Sequence, residues 1–187
     1  ESTRILQAPR GDITDINGVT FARSVSAISI VVDQTLINDP AATAKFVAPI
    51  LGLSVSDVQS SITGSKKYSM VLKNGRPALW DSLSAAIEKY NSSLANVDLG
   101  KRILGFFPER SYIREYPSGQ FISSLVGFVR ADGVGASGIE SSLDSLLTGT
   151  SGRYSYARAN GAEIPGSQAE IVAPQPGTSV RLTINRD

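Results

Sequence analysis

Residues 10–18 read Arg-Gly-Asp-Ile-Thr-Asp-Ile-Asn-Gly, and this stretch decides how the chain begins to fold. Asn17 and Gly18 both accept a positive φ, so a tight turn is expected there. The residues on either side of the turn, around Ile13 and from Val19 to Ile37, are rich in β-branched side chains. We therefore predict a pair of strands joined by a turn in which Asp15 and Asn17 hydrogen-bond to their own backbone.

Residues 39–96 are predicted to form a small α+β lobe inserted between strand-rich segments. Asp39 and Pro40 are typical of the start of a helix, and Gly52 is typical of the residue just after its end. The helix from Pro77 to Leu94 is predicted from the spacing of its apolar residues. The other elements predicted in the lobe are a helix from Ser54 that stops at Gly64, a strand over Lys67–Leu72 and a turn at Asn74-Gly75.

The segments outside the lobe, residues 1–38 and 97–187, are predicted to be rich in strands. Together with the lobe they make the expected fold class α+β, with long hairpins in the strand-rich part. The predicted elements after the lobe are strands over Ile103–Phe107 and Ser111–Ile113 around Pro108, a helix over Ile139–Leu147, a hairpin of Tyr154–Ala157 and Glu163-Ile164 around Asn160-Gly161, and a strand over Val180–Ile184.

The composition excludes several classes of function. The 187 residues carry 18 Lys and Arg against 17 Asp and Glu, and this balance gives no reason to expect nucleic-acid binding. The chain has no Cys, so disulfides and thiolate chemistry are excluded. It also has no His, which excludes a Ser-His-Asp triad and the usual zinc and haem ligands.

No acyl-transfer site is found in the sequence. A Ser-x-x-Lys motif places a lysine amine one helical turn from a serine hydroxyl, and none of the six lysines stands three residues after a serine.

The chain opens Glu-Ser-Thr-Arg, without an apolar leader, and it contains no apolar run of membrane-spanning length. These features leave carboxylate chemistry, or a hard metal on oxygen ligands, as the routes by which this chain could be an enzyme.

Two arginines occupy apolar, glycine-rich surroundings and call for acidic partners. Arg10 opens the stretch quoted above, and Arg114 opens Arg-Glu-Tyr-Pro-Ser-Gly. A guanidinium in such a setting favours a carboxylate that binds it through two atoms, and Glu140 or Asp15 could serve. The segments that carry Arg10, Arg114 and Glu140 would form a polar network if they come together, whereas taken one at a time they are equally explained as three separate turns with incidental charges.

Three ordered motifs resemble those of the N-terminal, non-catalytic module of class B penicillin-binding proteins. In that family the pattern is RGxIxDRNG, then RxYPxG, then GxxGxE with LxGxxG downstream. Ile16 stands where the family has its second arginine, so any contact of that arginine is missing here. The matching positions are Arg10, Gly11, Ile13, Asp15, Asn17 and Gly18, then Arg114, Tyr116, Pro117 and Gly119, then Gly135, Gly138, Glu140, Leu147, Gly149 and Gly152.

The resemblance implies a structural and not a catalytic chain. Residues 1–38 and 97–187 would form the module known as the dimerisation domain or pedestal, without a cofactor. A penicillin-sensitive peptidoglycan D,D-transpeptidase domain would follow, with its catalytic serine beyond Asp187, and an anchoring helix would precede the chain. The module would lie outside the cytoplasmic membrane of a bacterium. It would position the transpeptidase, contact a polytopic glycosyltransferase and other proteins of cell division or elongation, and self-associate.

Two alternatives remain open at this stage. One is a free-standing enzyme that uses carboxylates or a hard metal. The other is an extracytoplasmic binding module unrelated to cell-wall synthesis, in which the three motifs would be coincidental turns. The 39–96 lobe carries none of the motifs, and we expect it to contact a partner protein.

Overall fold

The computed structural model describes residues 2–119, 123–159, 162–163 and 169–185. The fold is α+β, as expected. Residues 1–26, 111–157 and 164–187 form a first compact unit, and residues 27–110 and 158–163 form a second. The second unit contains the whole predicted 39–96 lobe and extends beyond it, because Ile30, Ile103 and Phe106 belong to the same apolar core as the helices of the lobe.

The helices lie in the middle of the described chain, with strands before, between and after them. The strands are β1 (Ser2–Leu6), β2 (Ile13–Thr14), β3 (Thr20–Val32), β4 (Ser69–Gly75), β5 (Phe106–Glu115), β6 (Gly152–Tyr156), β7 (Arg158–Ala159), β8 (Ala162–Glu163), β9 (Ala169–Val172) and β10 (Val180–Arg181). The helices are α1 (Pro40–Leu51), α2 (Val55–Ile62), α3 (Pro77–Ser93), α4 (Ser123–Val126), α5 (Gly138–Ser142) and α6 (Asp144–Leu147), with 3-10 helices at Gln34–Leu36 and Asn96–Lys101.

The first unit is built on two sets of strands. In one, β6 pairs antiparallel with β1 on one side and with β9 on the other. In the other, β2 pairs antiparallel with β3 and parallel with β10. Backbone hydrogen bonds extend the β2–β10 pairing in both directions, from Gly177 N–H to the Pro9 carbonyl (3.0 Å) and from Ile16 N–H to the Ile184 carbonyl (3.0 Å). The apolar core of this unit contains Ile13, Phe21, Ala22, Val126 and Leu147.

The second unit packs helices α1, α2 and α3 around the second half of β3. Antiparallel pairing joins that half of β3 to β4. The predicted helix boundaries are confirmed in α1, where Asp39 Oδ1 accepts from Ala42 N–H (3.0 Å) and Gly52 ends the helix with φ 67°. In α2, Ser54 Oγ accepts from Asp57 N–H (3.1 Å). The core is formed by Ile30, Val32, Ala44, Val47, Ala48, Leu51, Val58, Ile62, Leu83, Ile103 and Phe106.

Several predicted strands differ from those observed. The two strands predicted around Pro108 are one strand, β5, which continues through the proline and pairs with β3. The strand predicted from Val19 to Ile37 ends at Val32, where Asp33 caps a 3-10 helix by accepting from Thr35 N–H (3.0 Å). Strand β4 lies two residues later than predicted and includes Gly75, although Asn74 has the positive φ (52°) of the expected turn.

Two elements near the chain's C-terminal part also differ. The helix predicted over Ile139–Leu147 is broken at Leu143 (φ −111°, ψ 22°), so that Asp144 begins a separate helix. The predicted last strand is regular only at Val180–Arg181, although its hydrogen bonds to the β2 segment continue beyond it. Asn160 and Gly161, where a turn is predicted, and the predicted strand residue Ile164 lie outside the described residues, and strands β7 and β8 pair antiparallel.

No helix within residues 2–119, 123–159, 162–163 and 169–185 combines the length and apolarity needed to cross a bilayer.

Candidate functional site

A fully buried carboxylate, that of Glu140, lies at the centre of the candidate site in the first unit. Glu140 is on α5 and is 0% exposed. Two glycines place this helix turn close to other backbone. Gly138 has φ 58°, and a side chain there would meet the Leu125 carbonyl oxygen. A side chain at Gly135 would overlap the carbonyl oxygen of Glu140 itself. The glycines of the Gly-x-x-Gly-x-Glu motif therefore allow the glutamate to be buried where it is.

Arg10, in the loop between β1 and β2, binds both the side chain and the backbone of Glu140. Its Nε is 2.6 Å from Glu140 Oε2, and its Nη2 donates to the Glu140 carbonyl oxygen (2.7 Å). Its Nη1 donates to Asp144 Oδ1 (2.7 Å), to Thr148 Oγ1 (2.8 Å) and to the Gly133 carbonyl (3.5 Å). The guanidinium is only 9% exposed. All three nitrogens of the guanidinium thus donate hydrogen bonds, in a planar fork that a lysine could not reproduce.

Arg114, on β5, takes the second oxygen of the same carboxylate. Its Nε is 2.8 Å from Glu140 Oε1, and its side chain is 4% exposed. Its Nη2 donates to the Gly11 carbonyl (2.7 Å), and its Nη1 donates to the Arg10 carbonyl (3.3 Å) and to Ser24 Oγ (3.2 Å). Arg114 therefore joins β5 to the loop that carries Arg10, as well as to α5.

Tyr116 adds a further hydrogen bond to the network around Glu140. Its phenol donates to Glu140 Oε1 (3.5 Å) and accepts from Val129 N–H (3.1 Å). Burial raises the pKa of this phenol, and the negative charge of Glu140 raises the pKa further. The tyrosine is therefore held as a neutral hydrogen-bond donor towards the carboxylate.

Asp144, Thr148 and Ser24 belong to the network and were missed by sequence reasoning. Asp144 Oδ1 accepts from Gly135 N–H (2.8 Å) as well as from Arg10. These two contacts, the Gly135 hydrogen bond first, lower the pKa of the Asp144 carboxyl. Asp144 and Thr148 follow Glu140 at successive intervals of four residues, and that helical spacing was the signal available in the sequence.

The carboxylate of Asp15, the other acid considered as an arginine partner, accepts hydrogen bonds from the backbone of its own turn. It is 0% exposed, and its Oδ1 accepts from Asn17 N–H (2.8 Å) and Val19 N–H (2.7 Å). Gly18 has φ 87°, and Asn17 Nδ2 donates to Asn185 Oδ1 (3.1 Å). Ile16, at the family's arginine position, is 48% exposed and donates its N–H to the Ile184 carbonyl. This turn is therefore a second structural feature, separate from the Glu140 network.

The remaining motif residues shape the backbone around these two features. Pro117 lies in the turn that Gly119 N–H closes on the Tyr116 carbonyl (3.2 Å). Gly11 donates its N–H to the Leu147 carbonyl (2.8 Å), and a side chain there would overlap the Thr178 carbonyl. Side chains at Gly149 and Gly152 would meet the backbone of the segment 172–177. Gly11, Gly149 and Gly152 therefore mark places where two backbone segments pass very close to each other.

The contacts of the site hold several segments of the first unit in place. Its two guanidiniums face two carboxylates, so its charges balance. Within the described ranges, no buried side-chain nitrogen or oxygen lacks a hydrogen-bond partner. No cluster of three or more acidic residues in those same ranges could hold a metal ion. A balanced, fully hydrogen-bonded network of this kind is costly to break, because loss of one member leaves a buried charge without its partner.

Comparison with known sequences assigns nearly the whole chain to one family. The profile of the Penicillin-binding Protein dimerisation domain matches residues 5–182. Penicillin-binding protein PbpB of Mycolicibacterium smegmatis is 30% identical over 99% of the chain and 31% of its own length. The peptidoglycan D,D-transpeptidase FtsI of Escherichia coli K12 is 27% identical over 76% of the chain and 23% of its own length. The chain thus spans less than a third of the length of either relative.

Solved structures share the fold. Penicillin Binding Protein 2X from Streptococcus thermophilus superposes with a TM-score of 0.67 at 22% identity, over 96% of this chain and 29% of that one. The Penicillin-Binding Protein (PBP2) in the complex with MreC from Helicobacter pylori superposes with a TM-score of 0.62 at 17% identity, over 97% of this chain and 36% of that one.

Proposed function

The chain belongs to the Penicillin-binding Protein dimerisation domain family, and from this membership we propose that it is the non-catalytic module of a class B penicillin-binding protein. In this role it positions a peptidoglycan transpeptidase domain and contacts partner proteins of cell-wall synthesis. The relatives are several times longer than this chain, so the catalytic serine belongs to the remainder of such a protein.

The observation that carries this proposal is the bonding of Glu140 to two arginines from distant parts of the sequence. Arg10 is 130 residues away from Glu140 and Arg114 is 26 residues away. One buried carboxylate thereby fixes the first loop, strand β5 and helix α5 against one another. A module that holds another domain at a set position needs this kind of internal rigidity, and each of these three residues belongs to a motif of the family.

Partner contacts and location follow from the same proposal. A relative of this fold forms a complex with MreC, and we extend to this chain the general role of binding other proteins of the division or elongation machinery. A polytopic glycosyltransferase is the expected membrane partner, and self-association is a further expected contact. The module would lie on the outer face of the cytoplasmic membrane, held there by an anchor helix before residue 1.

The reading frame on both sides of the chain is the first test. An upstream apolar stretch of about 20 residues and a downstream Ser-x-x-Lys motif are expected. A stop codon directly after Asp187, with no apolar stretch upstream, would contradict the proposed function.

A second test separates positioning from catalysis in the full-length protein. Membranes carrying wild type or Glu140→Gln are labelled with a fluorescent penicillin, and peptidoglycan cross-links are counted in cells that depend on each form. We expect the variant to be acylated normally when intact protein is present in equal amount, while cross-linking falls. Equal cross-linking in the two strains would show that the network has no part in positioning the transpeptidase.

A further inference from the structure

The second unit contains a cavity that the Glu140 network does not explain. Its volume is about 720 Å³, within the range of ligand pockets. It lies between the start of α1, the end of α3 and the segment 100–103 that follows α3. The lining residues are Asn38, Asp39, Ala42, Thr43, Lys45, Phe46, Tyr90, Gly100, Lys101, Arg102 and Ile103.

Side-chain amides hold the wall of this cavity in place. Asn38 Nδ2 donates to the Gly100 carbonyl (2.9 Å), which ties the segment 100–103 to the residues just before α1. Asn91, on α3, binds both backbone groups of Ile103, with its Nδ2 donating to the carbonyl (2.9 Å) and its Oδ1 accepting from the N–H (2.9 Å). The cavity is therefore preformed, and a ligand would not have to order this wall on binding.

The charged side chains around the cavity favour an anionic ligand. Lys45, Lys101 and Arg102 are cationic, whereas Asp39 is the one acidic lining residue and its Oδ1 already caps α1. Asp98 pairs with Lys101 (2.8 Å). Across the part of the chain that the structure describes, neither Lys45 nor Arg102 has an ion-pair partner. Two exposed cations at one cavity are thus available to a carboxylate from outside.

Apolar surface lies beside these charges. The rings of Phe46 and Tyr90 are in contact, with their centres 5.1 Å apart, and both line the cavity. In the residues that flank the segment 100–103 along the chain, Val97 is 93% exposed and Leu99 and Leu104 are each 46% exposed. Exposed apolar side chains next to a pocket are typical of surfaces that bind another protein, and a free small anion would leave them uncovered.

We propose that this cavity binds an acidic peptide segment of a partner protein, with its carboxylates at Lys45 and Arg102 and a neighbouring leucine or aromatic side chain on the Phe46–Tyr90 wall. The proposal rests on the proposed function in taking the ligand to be part of another protein. It adds the location of the contact and the chemistry of the segment that makes it.

A peptide titration of the ¹⁵N-labelled chain tests the proposal. The probe is acetyl-Glu-Leu-Glu-Phe-amide, and the matched control peptide is acetyl-Gln-Leu-Gln-Phe-amide. We expect the acidic peptide to shift the amide signals of Thr43, Phe46 and Gly100, and to bind about tenfold or more tightly than the control. Equal binding of the two peptides, or shifts confined to other parts of the chain, would overturn the proposal.

Charge-reversal variants and a competing anion complete the test. Lys45→Glu combined with Arg102→Glu should weaken binding of the acidic peptide by about tenfold or more. Lys67→Glu combined with Lys73→Glu changes the net charge equally at exposed positions outside the cavity, and should leave the affinity within about twofold. Equal weakening by both pairs would point to unspecific attraction and overturn the proposal. Displacement of the peptide by inorganic phosphate at matched ionic strength would also overturn the proposal.

The outcome can be separated from that of the proposed function. If the reading frame encodes no transpeptidase but the chain still binds the acidic peptide, the proposed function is wrong and the peptide site stands. If the reading frame encodes the anchor and the Ser-x-x-Lys motif but the cavity binds no acidic peptide, the peptide site is wrong and the proposed function stands.

Discussion

Arg10 binds Glu140 twice, through the carboxylate (Nε to Oε2, 2.6 Å) and through the carbonyl oxygen of the same residue (Nη2 to O, 2.7 Å). The arginine therefore fixes the backbone of α5 as well as the position of the side chain. A glutamate that merely reached Arg10 from a displaced helix would satisfy the first contact and lose the second. The stability of the first unit should accordingly depend on each member of this network.

Glu140→Ala should be strongly destabilising, because it leaves two buried guanidiniums without their shared carboxylate. We expect a loss of about 3–5 kcal/mol in the free energy of unfolding, measured by urea denaturation. Glu115→Ala is the control, since its side chain is 41% exposed and pairs with the exposed Arg23, and it should cost no more than about 1 kcal/mol. An unchanged melting temperature for Glu140→Ala would count heavily against a structural role for the network.

Arg114→Lys should also destabilise the first unit, although it keeps the charge. A lysine cannot reach Glu140, the Gly11 carbonyl and the Arg10 carbonyl at once, so buried acceptors would lose their donors. We expect a cost of about 1.5–3 kcal/mol in the same assay. Arg23→Lys, at an exposed pair, should stay within about 0.5 kcal/mol of wild type. Equal effects of the two substitutions would mean that the guanidinium geometry at Arg114 is unimportant.

Gly135→Ala should destabilise by steric overlap alone. The added methyl group would overlap the Glu140 carbonyl oxygen, which accepts from Arg10, so the helix turn would have to move. We expect a cost of about 1–3 kcal/mol, read from the urea midpoint. Gly100→Ala is a suitable control because a methyl group there would meet nothing within 4 Å, and it should be nearly neutral. A neutral Gly135→Ala would show that α5 can shift without loss.

Tyr116 should make the stability of the chain fall at alkaline pH. Its pKa is raised in the folded state, chiefly by burial and then by Glu140. Its contribution to stability is therefore complete below the ordinary tyrosine pKa of about 10, and it is lost as the pH rises towards the folded-state value. Tyr116→Phe should flatten this alkaline decline in melting temperature, whereas Tyr112→Phe, at an exposed ring, should not. An identical alkaline decline in wild type and Tyr116→Phe would refute the assignment.

Asp144 should make the stability of the chain fall at acidic pH. Its folded-state pKa is lowered by the Gly135 N–H and by Arg10, so its contribution is present above the ordinary aspartate pKa of about 3.9. That contribution is lost as the pH falls through the lower folded-state value. The stability advantage of wild type over Asp144→Asn should therefore be measurable at neutral pH and shrink in acid. An advantage that does not vary with pH would show that the charge of Asp144 is irrelevant.

The parts of the fold that were predicted correctly depend on short-range chemistry. Asp39, Pro40 and Gly52 set the ends of α1 through a cap, a fixed φ and a left-handed residue, all within thirteen positions. The turn at Asn17-Gly18 is equally local. By contrast, the parallel pairing of β2 with β10 joins residues about 165 positions apart, and nothing in either strand's sequence encodes its partner. Pro108 misled the prediction because prolines are uncommon inside strands, yet β5 continues through this one.

The candidate site was predictable only where a residue's local chemistry indicates its partner. Arg10 and Arg114 stand out in sequence because a guanidinium in apolar surroundings calls for a carboxylate. The choice of Glu140 over Asp15 could not be made from composition, and the structure shows that the Asp15 carboxylate accepts hydrogen bonds from its own turn. Ser24 carries no signal of this kind, and Thr148 shows only its four-residue spacing from Asp144, which does not distinguish it from an exposed hydroxyl. Their roles depend on the packing of distant segments.

The parallel pairing of the β2 and β10 segments has a mechanical consequence. Tension applied to the residues that lead into β2 and to those that follow β10 would pull the two strands past each other along their length. The backbone hydrogen bonds between Pro9 and Gly177, Asp12 and Val180, Thr14 and Leu182, and Ile16 and Ile184 would then share the force, whereas a hairpin pulled at its open end yields one bond at a time. The first unit is therefore arranged to resist stretching in shear.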